Sequence, residues 1–268
     1  MRRCLLVAVM LAAASSAHAA DLPYLRGGFG PQAVNWGGFY AGVQGGYGSS
    51  DVSLNKWPNT EAAILASAYL APSELGFSNW IPGFDRQNSH TAFWGAFAGY
   101  NVQYEDVVIG VEASYAHGDF GATQTRSTPV VSGGPLTDGL FHAISASETS
   151  AVSISDMATF RGRAGYAFGC FLPYIFGGLA VGNADFTKSA TIQDSFSFTA
   201  GGPFTNFAPV SLVDATHNHF IYGYSAGAGF DYKLIGGLFL RAEYEYVRFT
   251  SAVDVNINTV RAGLGYKF

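Results

Sequence analysis

The sequence predicts an all-β chain, an eight-stranded antiparallel transmembrane β-barrel with three long extracellular loops and short periplasmic turns. Three observations predict it. Apolar residues alternate with small or polar ones at period two in eight segments. The connections between the segments alternate between short and long, as the two ends of such a barrel require. Charged residues are only 12% of the chain and aromatics 15%, with 34 glycines, which suits strands in lipid better than helices in water.

The first twenty residues carry the three parts of a signal peptide in order. Arg2 and Arg3 form a charged start, Leu5 to Ala14 is a short apolar run, and Ala17-His18-Ala19 is an A-x-A cleavage pattern. The apolar run is too short to span a membrane. The expected organisation is a leader over 1–20, a Gly- and Pro-containing lead-in over 21–35, and a barrel over 36–268. Removing the leader removes Arg2 and Arg3 and no acid. The net charge then moves from −5 to 12 − 19 = −7. No basic stripe points to nucleic acid. Cys4 leaves with the leader, and Cys170 alone can form neither an internal disulfide nor a cysteine-based metal site.

The eight segments follow in order. Phe39, Ala41, Val43 and Tyr47 share one face of the first, against Tyr40, Gly42, Gln44 and Gly46. In the second, Ala92 to Val102 in steps of two oppose Gly95, Gly99, Asn101 and Gln103. In the third, Val107, Ile109, Val111, Ala113 and Tyr115 oppose Gly110, Glu112 and Ser114. In the fourth, Ala158, Phe160, Ala164, Tyr166 and Phe168 oppose Thr159, Arg161, Arg163 and Gly165. The fifth places Ile175, Leu179 and Val181 outward and Tyr174, Phe176, Gly178 and Ala180 inward. The sixth sets Phe220 to Tyr232, again in steps of two, against Gly223, Ser225, Gly227, Gly229 and Asp231. The seventh opposes Leu238, Leu240, Ala242, Tyr244 and Tyr246 to Arg241, Glu243 and Glu245. The eighth opposes Ile257, Ala262, Leu264, Tyr266 and Phe268 to Arg261, Gly263, Gly265 and Lys267. Apolar outside and polar inside is the reverse of a soluble barrel.

Residues 164–184 carry no charge, so a hydropathy window would read a membrane helix there. Pro173 and the glycines at 165, 169, 177, 178 and 182 argue instead for strand, turn and strand. Short connections fall at Tyr104–Asp106, Gly169–Leu172, Leu234–Gly237 and, at the opposite end, near Ser251–Val255. Long ones fall at Ser49–His90, Asp119–Ser155 and Asn183–Asn218. Thr60 to Leu70 is expected to form a brief helix inside the first.

The last residues, Arg261-Ala-Gly263-Leu-Gly-Tyr266-Lys-Phe268, place two aromatics on one face of a closing strand. This pattern resembles the assembly signal of outer-membrane barrels, in which a machinery pairs with the open edge of the last strand. Ala20-Asp21-Leu22-Pro23, Trp36-Gly-Gly-Phe-Tyr-Ala-Gly42, Gly99-Tyr-Asn-Val-Gln103, Gly110-Val-Glu112, Arg161-Gly-Arg-Ala-Gly-Tyr166, Leu172-Pro-Tyr174 and Arg241-Ala-Glu-Tyr244 occur in the order that resembles RopB-like porin-family outer membrane proteins, small barrels of Gram-negative bacteria. The resemblance covers most strands and not the long loops. It implies a structural, envelope-integrity role. It also implies outer membrane lipid, lipopolysaccharide and the barrel assembly machinery as partners. The word porin in the family label does not establish a pore.

Glu112, Asp231, Glu243 and Glu245 face the lumen with Arg161, Arg163, Arg241, Arg261 and Lys267. The interior of an eight-stranded barrel is about wide enough to be filled by side chains, so a paired charge network is expected there. By strand parity His90 and His117 point outward and His217 and His219 inward, so with His142 they form no common site. No Ser/His/Asp order or carboxylate pair stands out. The expectation is no enzyme, no metal and no cofactor, with the oligomeric state open. Two rival readings share the fold: a narrow passive diffusion channel, and a surface adhesin or receptor.

Overall fold

Strand alternation and its register decide the architecture. The computed structural model describes residues 34–53, 60–77, 84–251 and 254–268. The predicted leader, its cleavage pattern and all but the end of the 21–35 lead-in lie outside the described residues. The elements in chain order are β1 (Gly38–Ser53), α1 (Thr60–Ala68), α2 (Leu70–Glu74), β2 (Arg86–Tyr104), β3 (Val107–His117), β4 (Ala122–Ser127), β5 (Val131–Gly133), β6 (Phe141–Tyr166), β7 (Phe171–Ser197), β8 (Thr205–Asn206), β9 (Val210–Lys233), β10 (Leu238–Phe249) and β11 (Asp254–Lys267). Eight of the strands close into an antiparallel ring in the order β1-β2-β3-β6-β7-β9-β10-β11, and β11 returns to β1 from Tyr40↔Lys267 to Ser53↔Asp254. A closed wall leaves no strand edge at membrane depth, as a spanning sheet requires.

The outward face is apolar. Val43, Ile109, Ile175, Leu179 and Val260 are all exposed on it. Aromatic pairs belt the turn end: Phe39 with Tyr100 at 5.5 Å between ring centres, Tyr166 with Phe168 at 4.7 Å, and Phe171 with Phe230 at 5.3 Å. Tyr47 and Trp94 lie near the other end of the same wall. Phe39 to Tyr47 spans nine residues of β1, the length of a tilted membrane-spanning strand of about 9–11 residues.

Three tight turns join the ring at the belt end. Glu105 carries a positive φ of 52° between β2 and β3, and Gly169 and Gly236 carry φ of 58° and 62° in the other two. The uncharged stretch 164–184 is the end of β6, the Gly169 turn and the start of β7. Among the described residues no helix is long and apolar enough to cross a membrane.

The structure corrects three sequence expectations. Most of Asp119–Ser155 and Asn183–Asn218 is strand rather than irregular loop. β6 and β7 stay paired from Gly165↔Tyr174 to Phe141↔Ser197, with one bulge between Ile154 and Asp156. Ser-, Thr- and Ala-rich composition reads as loop, yet its period-two alternation continues the sheet. β6 has 26 residues and β7 has 27, whereas a membrane-spanning strand needs about 9–11. Both strands therefore project well past the lipid. Next, Ile257 faces the lumen and is fully buried, because it shares the odd parity of Arg261. Last, His217 and His219 are exposed instead of inward. A second register shift, between Ala184 and Phe186 on β7, lies opposite Asn218, whose φ is +56°.

Beyond the membrane the extended strands support a lobe. Ile144 and Ala146 of β6 and Ala190 and Ile192 of β7 bury an apolar face against Leu65 and Ala66 of α1, with Ala71 and Phe77 completing the cluster. The brief helix expected at Thr60–Leu70 is α1, and this cluster is what holds it.

Candidate functional site

The lumen is filled in layers. At the turn end Trp36 is buried and sits edge-on to Phe239 at 6.3 Å. Its ring N–H donates to the Gly169 carbonyl at 3.1 Å, and its backbone N–H donates to Gln103 Oε1 at 2.6 Å. Asn101 Nδ2 donates to the Trp36 carbonyl at 3.2 Å. Leu172 and Val108 are buried at the same end of their strands. Trp36 thus closes this end from the segment just ahead of β1.

Above it lies the charge network. The structure brings together eight of the nine lumen charges singled out in the sequence, four carboxylates and four guanidiniums, each at most 3% exposed, while Lys267 is half-buried at the end of β11. Glu112 on β3 lies opposite Arg161 on β6 in the strand register and pairs with it, through Nε at 3.0 Å and also through Nη2. Arg161 also reaches Glu243 at 2.7 Å and Glu245 at 3.2 Å on β10. Arg163 donates to Asp231 on β9 at 2.8 Å and to Glu112 at 3.3 Å. Arg241 pairs with its register partner Asp231 at 2.8 Å and reaches Glu112 at 2.7 Å. Arg261 pairs with Glu245 and donates to Thr259 Oγ1 at 2.8 Å. Equal numbers of opposite charges, each with several partners, are what the interior demands, since an unpaired buried charge costs several kcal/mol.

Aromatic side chains complete the network. Tyr40 donates to Glu112 at 2.7 Å and Tyr174 to Glu243 at 2.6 Å. All four guanidiniums lie over rings, Arg161 over Phe176 at 3.9 Å, Arg163 over Tyr174 at 3.8 Å, Arg241 over Phe97 at 3.9 Å and Arg261 over Phe93 at 5.4 Å. Such cation–π contacts gain strength where water is excluded. The rings fit because glycines face them. A Cβ on Gly265 would lie 2.2 Å from the Phe239 ring, and one on Gly227 would lie 2.4 Å from Phe176.

The sequence reading missed the lumen aromatics Phe93, Phe97 and Phe239 and the apolar layer above the charges. There Val52, Phe93, Phe120, Ile154, Met157, Ile221, Val247, Phe249 and Ile257 form one buried cluster at the loop end. The signal was present for most of them: Val52, Met157, Ile221, Val247, Phe249 and Ile257 share the inward parity of their strands, whereas Ile154 faces in only past the β6 bulge. A polar-inside rule hides them, because it searches that face only for polar side chains.

The closing strand places Tyr266 and Phe268 outward, their rings 5.2 Å apart and edge to face. The Phe268 N–H donates to the Phe39 carbonyl at 2.9 Å. Gly263 faces the lumen, and a Cβ there would lie 3.2 Å from the Phe97 ring. Cys170 is exposed in the turn between β6 and β7. Among the described residues no group of His, Cys, Asp or Glu has the arrangement to hold a metal ion.

In the lobe, His142 on β6 is buried, with Asp194 at 2.9 Å from Nδ1 and Asp138 at 2.9 Å from Nε2. The sequence reading counted His142 and gave it no place, since its partners come from distant positions.

Comparison with known proteins places this architecture in a family. The profile of the family described as "Outer membrane protein beta-barrel domain" matches residues 5–268. The 25 kDa outer-membrane immunogenic protein of Brucella ovis is 24% identical over 234 residues, covering 87% of this chain and 79% of that protein. Among solved structures, the N-terminal β-barrel domain of Pseudomonas aeruginosa OprF is similar with a TM-score of 0.35 and 12% identity, over 87% of this chain and 99% of that one. The attachment invasion locus protein of Yersinia pestis gives 0.31 and 15%, over 86% and 99%. Scores of that size add nothing to the assignment, which rests on the sequence profile. With its closed eight-stranded ring and apolar outer wall, the chain belongs to the outer membrane protein beta-barrel domain family and resides in the outer membrane of a Gram-negative bacterium.

Proposed function

We propose that this protein is a sealed, non-catalytic outer-membrane barrel with a structural role in the envelope, anchoring a folded extracellular lobe. The observation that carries this reading is the lumen. Eight paired charges cross it, with an aromatic plug on one side and an apolar layer on the other. Opening a water path would strip partners from charges that the interior cannot leave unpaired. Within the family, the ordered sequence pieces from Trp36-Gly-Gly-Phe to the closing strand support a place beside the RopB-like porin-family proteins. The partners that fit are outer membrane lipid and lipopolysaccharide along the apolar wall. The assembly machinery fits the Arg261–Phe268 strand.

A strain lacking the protein tests this role. It is expected to become sensitive to detergents and to be restored by the parent chain, with small-solute uptake unchanged. A loss of solute uptake in an otherwise intact envelope would favour the diffusion channel instead.

A second reading, surface recognition, has one observation in its favour. The loop end is a folded lobe with its own apolar cluster, and it displays Phe198 and Phe204 to solvent. Removing the lobe while keeping the barrel tests this reading: binding to a host surface that disappears with the lobe would support it.

A further inference from the structure

The lobe holds a cavity of about 440 Å³ beside His142. Its walls are apolar, from Tyr69 and Pro72 near α2, Ile192 of β7, Phe207, and Val210 of β9. One end is polar and consists of His142, Asp138 and Asp194. The size falls in the range of small-molecule pockets, about 300–1,000 Å³.

The polar end has a definite charge. Ionised carboxylates can only accept, and Asp194 and Asp138 raise the pKa of the ring between them, so below that pKa both ring nitrogens donate and the ring is an imidazolium. One cation and two carboxylates leave one negative charge in excess. Asp194 and Asp138 are 22% and 32% exposed, so they keep acceptor capacity towards the cavity. The surroundings are fixed in advance. The Phe207 N–H donates to the Asp194 carbonyl at 2.9 Å, and the Leu140 N–H to Asp138 Oδ1 at 2.9 Å. The Thr137 N–H donates to Glu74 Oε2 at 3.0 Å, which ties α2 to the turn that carries Asp138. Pre-formed walls lower the ordering cost of binding.

We infer that this cavity is a binding site for a small organic cation, an amine or quaternary ammonium carrying an apolar or aromatic body. The apolar part occupies the Ile192–Phe207–Val210 walls and the charged end balances the surplus carboxylate. Carboxylates supply the charge-assisted contact, and the neighbouring rings of Tyr69 and Phe207 are of the kind that accept cations. The inference goes beyond the envelope role and does not depend on whether the lumen is sealed.

The experiment is titration of the full barrel in nanodiscs with phenethylamine, 2-phenylethanol and 3-phenylpropionate, by calorimetry or saturation-transfer NMR. Parent and variants are compared in the same lipid, which cancels partitioning into the bilayer. Phenethylamine is expected to bind saturably, and the alcohol and the acid at least about tenfold more weakly. Asp194→Asn is expected to weaken the amine by at least about tenfold. Ala208→Trp fills the cavity from its rim, leaves the His142 cluster in place, and is expected to abolish binding. Heat-modifiable gel migration shows that each barrel remains folded, and parent-like protease resistance of residues 119–155 shows that the lobe does. No saturable amine binding up to about 10 mM, equal binding of amine and alcohol, or undiminished binding by Ala208→Trp would each overturn the assignment.

Discussion

Arg241 and Glu112 stand on diametrically opposed strands of the eight-stranded ring, yet Arg241 Nη1 lies 2.7 Å from Glu112 Oε2. The contact spans the whole lumen. Arg163 and Asp231, two strands apart from each other on the ring, lie 2.8 Å apart beside it. Side chains from opposite walls therefore bridge the lumen at this height.

The network's stability is testable through Arg241. Replacing Arg241 by Met removes the cation shared by Asp231 and Glu112 and leaves both carboxylates buried with fewer partners. The expected loss is about 3–5 kcal/mol, read as a lower urea midpoint of the barrel refolded in lipid vesicles. Arg241→Met combined with Asp231→Leu is expected to recover part of it. A single variant as stable as the parent would show the network to be energetically idle.

Gly265 and Phe239 form a coupled pair. A Cβ at 265 meets ring atoms of Phe239, the nearest at 2.2 Å, so Gly265→Ala forces the ring aside. Overpacking of this kind costs about 1–3 kcal/mol. Because the obstacle is one side chain, Gly265→Ala should cost less in a Phe239→Ala background than in the parent. Additive losses in the double-mutant cycle would contradict the contact.

These two sites show what the sequence could and could not reveal. Period two put Glu112, Arg161 and Arg241 on the inner face, because alternation is a property of each strand alone. It also gave each short turn its place. It could not show that Arg241 reaches Glu112 as well as its register partner Asp231, which depends on barrel width and register. Nor did it expose the apolar layer around Phe249 and Ile257, since one lumen holds two kinds of lining at different heights. The β6 and β7 extensions were hidden for another reason. Ser and Thr in a long hairpin resemble loop composition until the partner strand is known. His142 became a site only once Asp194 was brought across from β7.

The lobe is expected to be pH-sensitive through His142. Burial alone would lower its pKa, but the hydrogen bonds and charges of Asp194 and Asp138 outweigh burial and raise it above the ordinary 6.5. Stability from a raised histidine is fully present below its unfolded value and is lost as pH rises through the folded one. The Leu140 N–H and His142 hold Asp138 below its ordinary 3.8, against some desolvation, so its contribution is lost only at strongly acidic pH. Protease cleavage within 119–155 on intact cells should therefore quicken between about pH 6 and the alkaline side. In His142→Asn that acceleration should vanish. Equal pH dependence in parent and variant would exclude His142 as the cause.

Phe268 separates assembly from stability. Its ring faces outward beside Tyr266, so Phe268→Ala should cost the finished barrel at most about 1.5–3 kcal/mol. If the closing strand is what the assembly machinery reads, the variant's level in the outer membrane should fall far more than its refolded stability. Matching membrane levels for variant and parent would remove the assembly role from this residue.

The sealed lumen is tested most directly by single-channel recording of the purified barrel in planar bilayers. Insertion is verified by heat-modifiable migration of the recovered protein. The parent is expected to give no stable conductance steps across a range of salt and voltage. Arg161→Ala, which removes the guanidinium shared by Glu112, Glu243 and Glu245, is the variant expected to introduce leakage. Steps of uniform size from the parent, altered by Arg161→Ala or Glu243→Gln, would contradict the sealed barrel and establish a pore through the charge network.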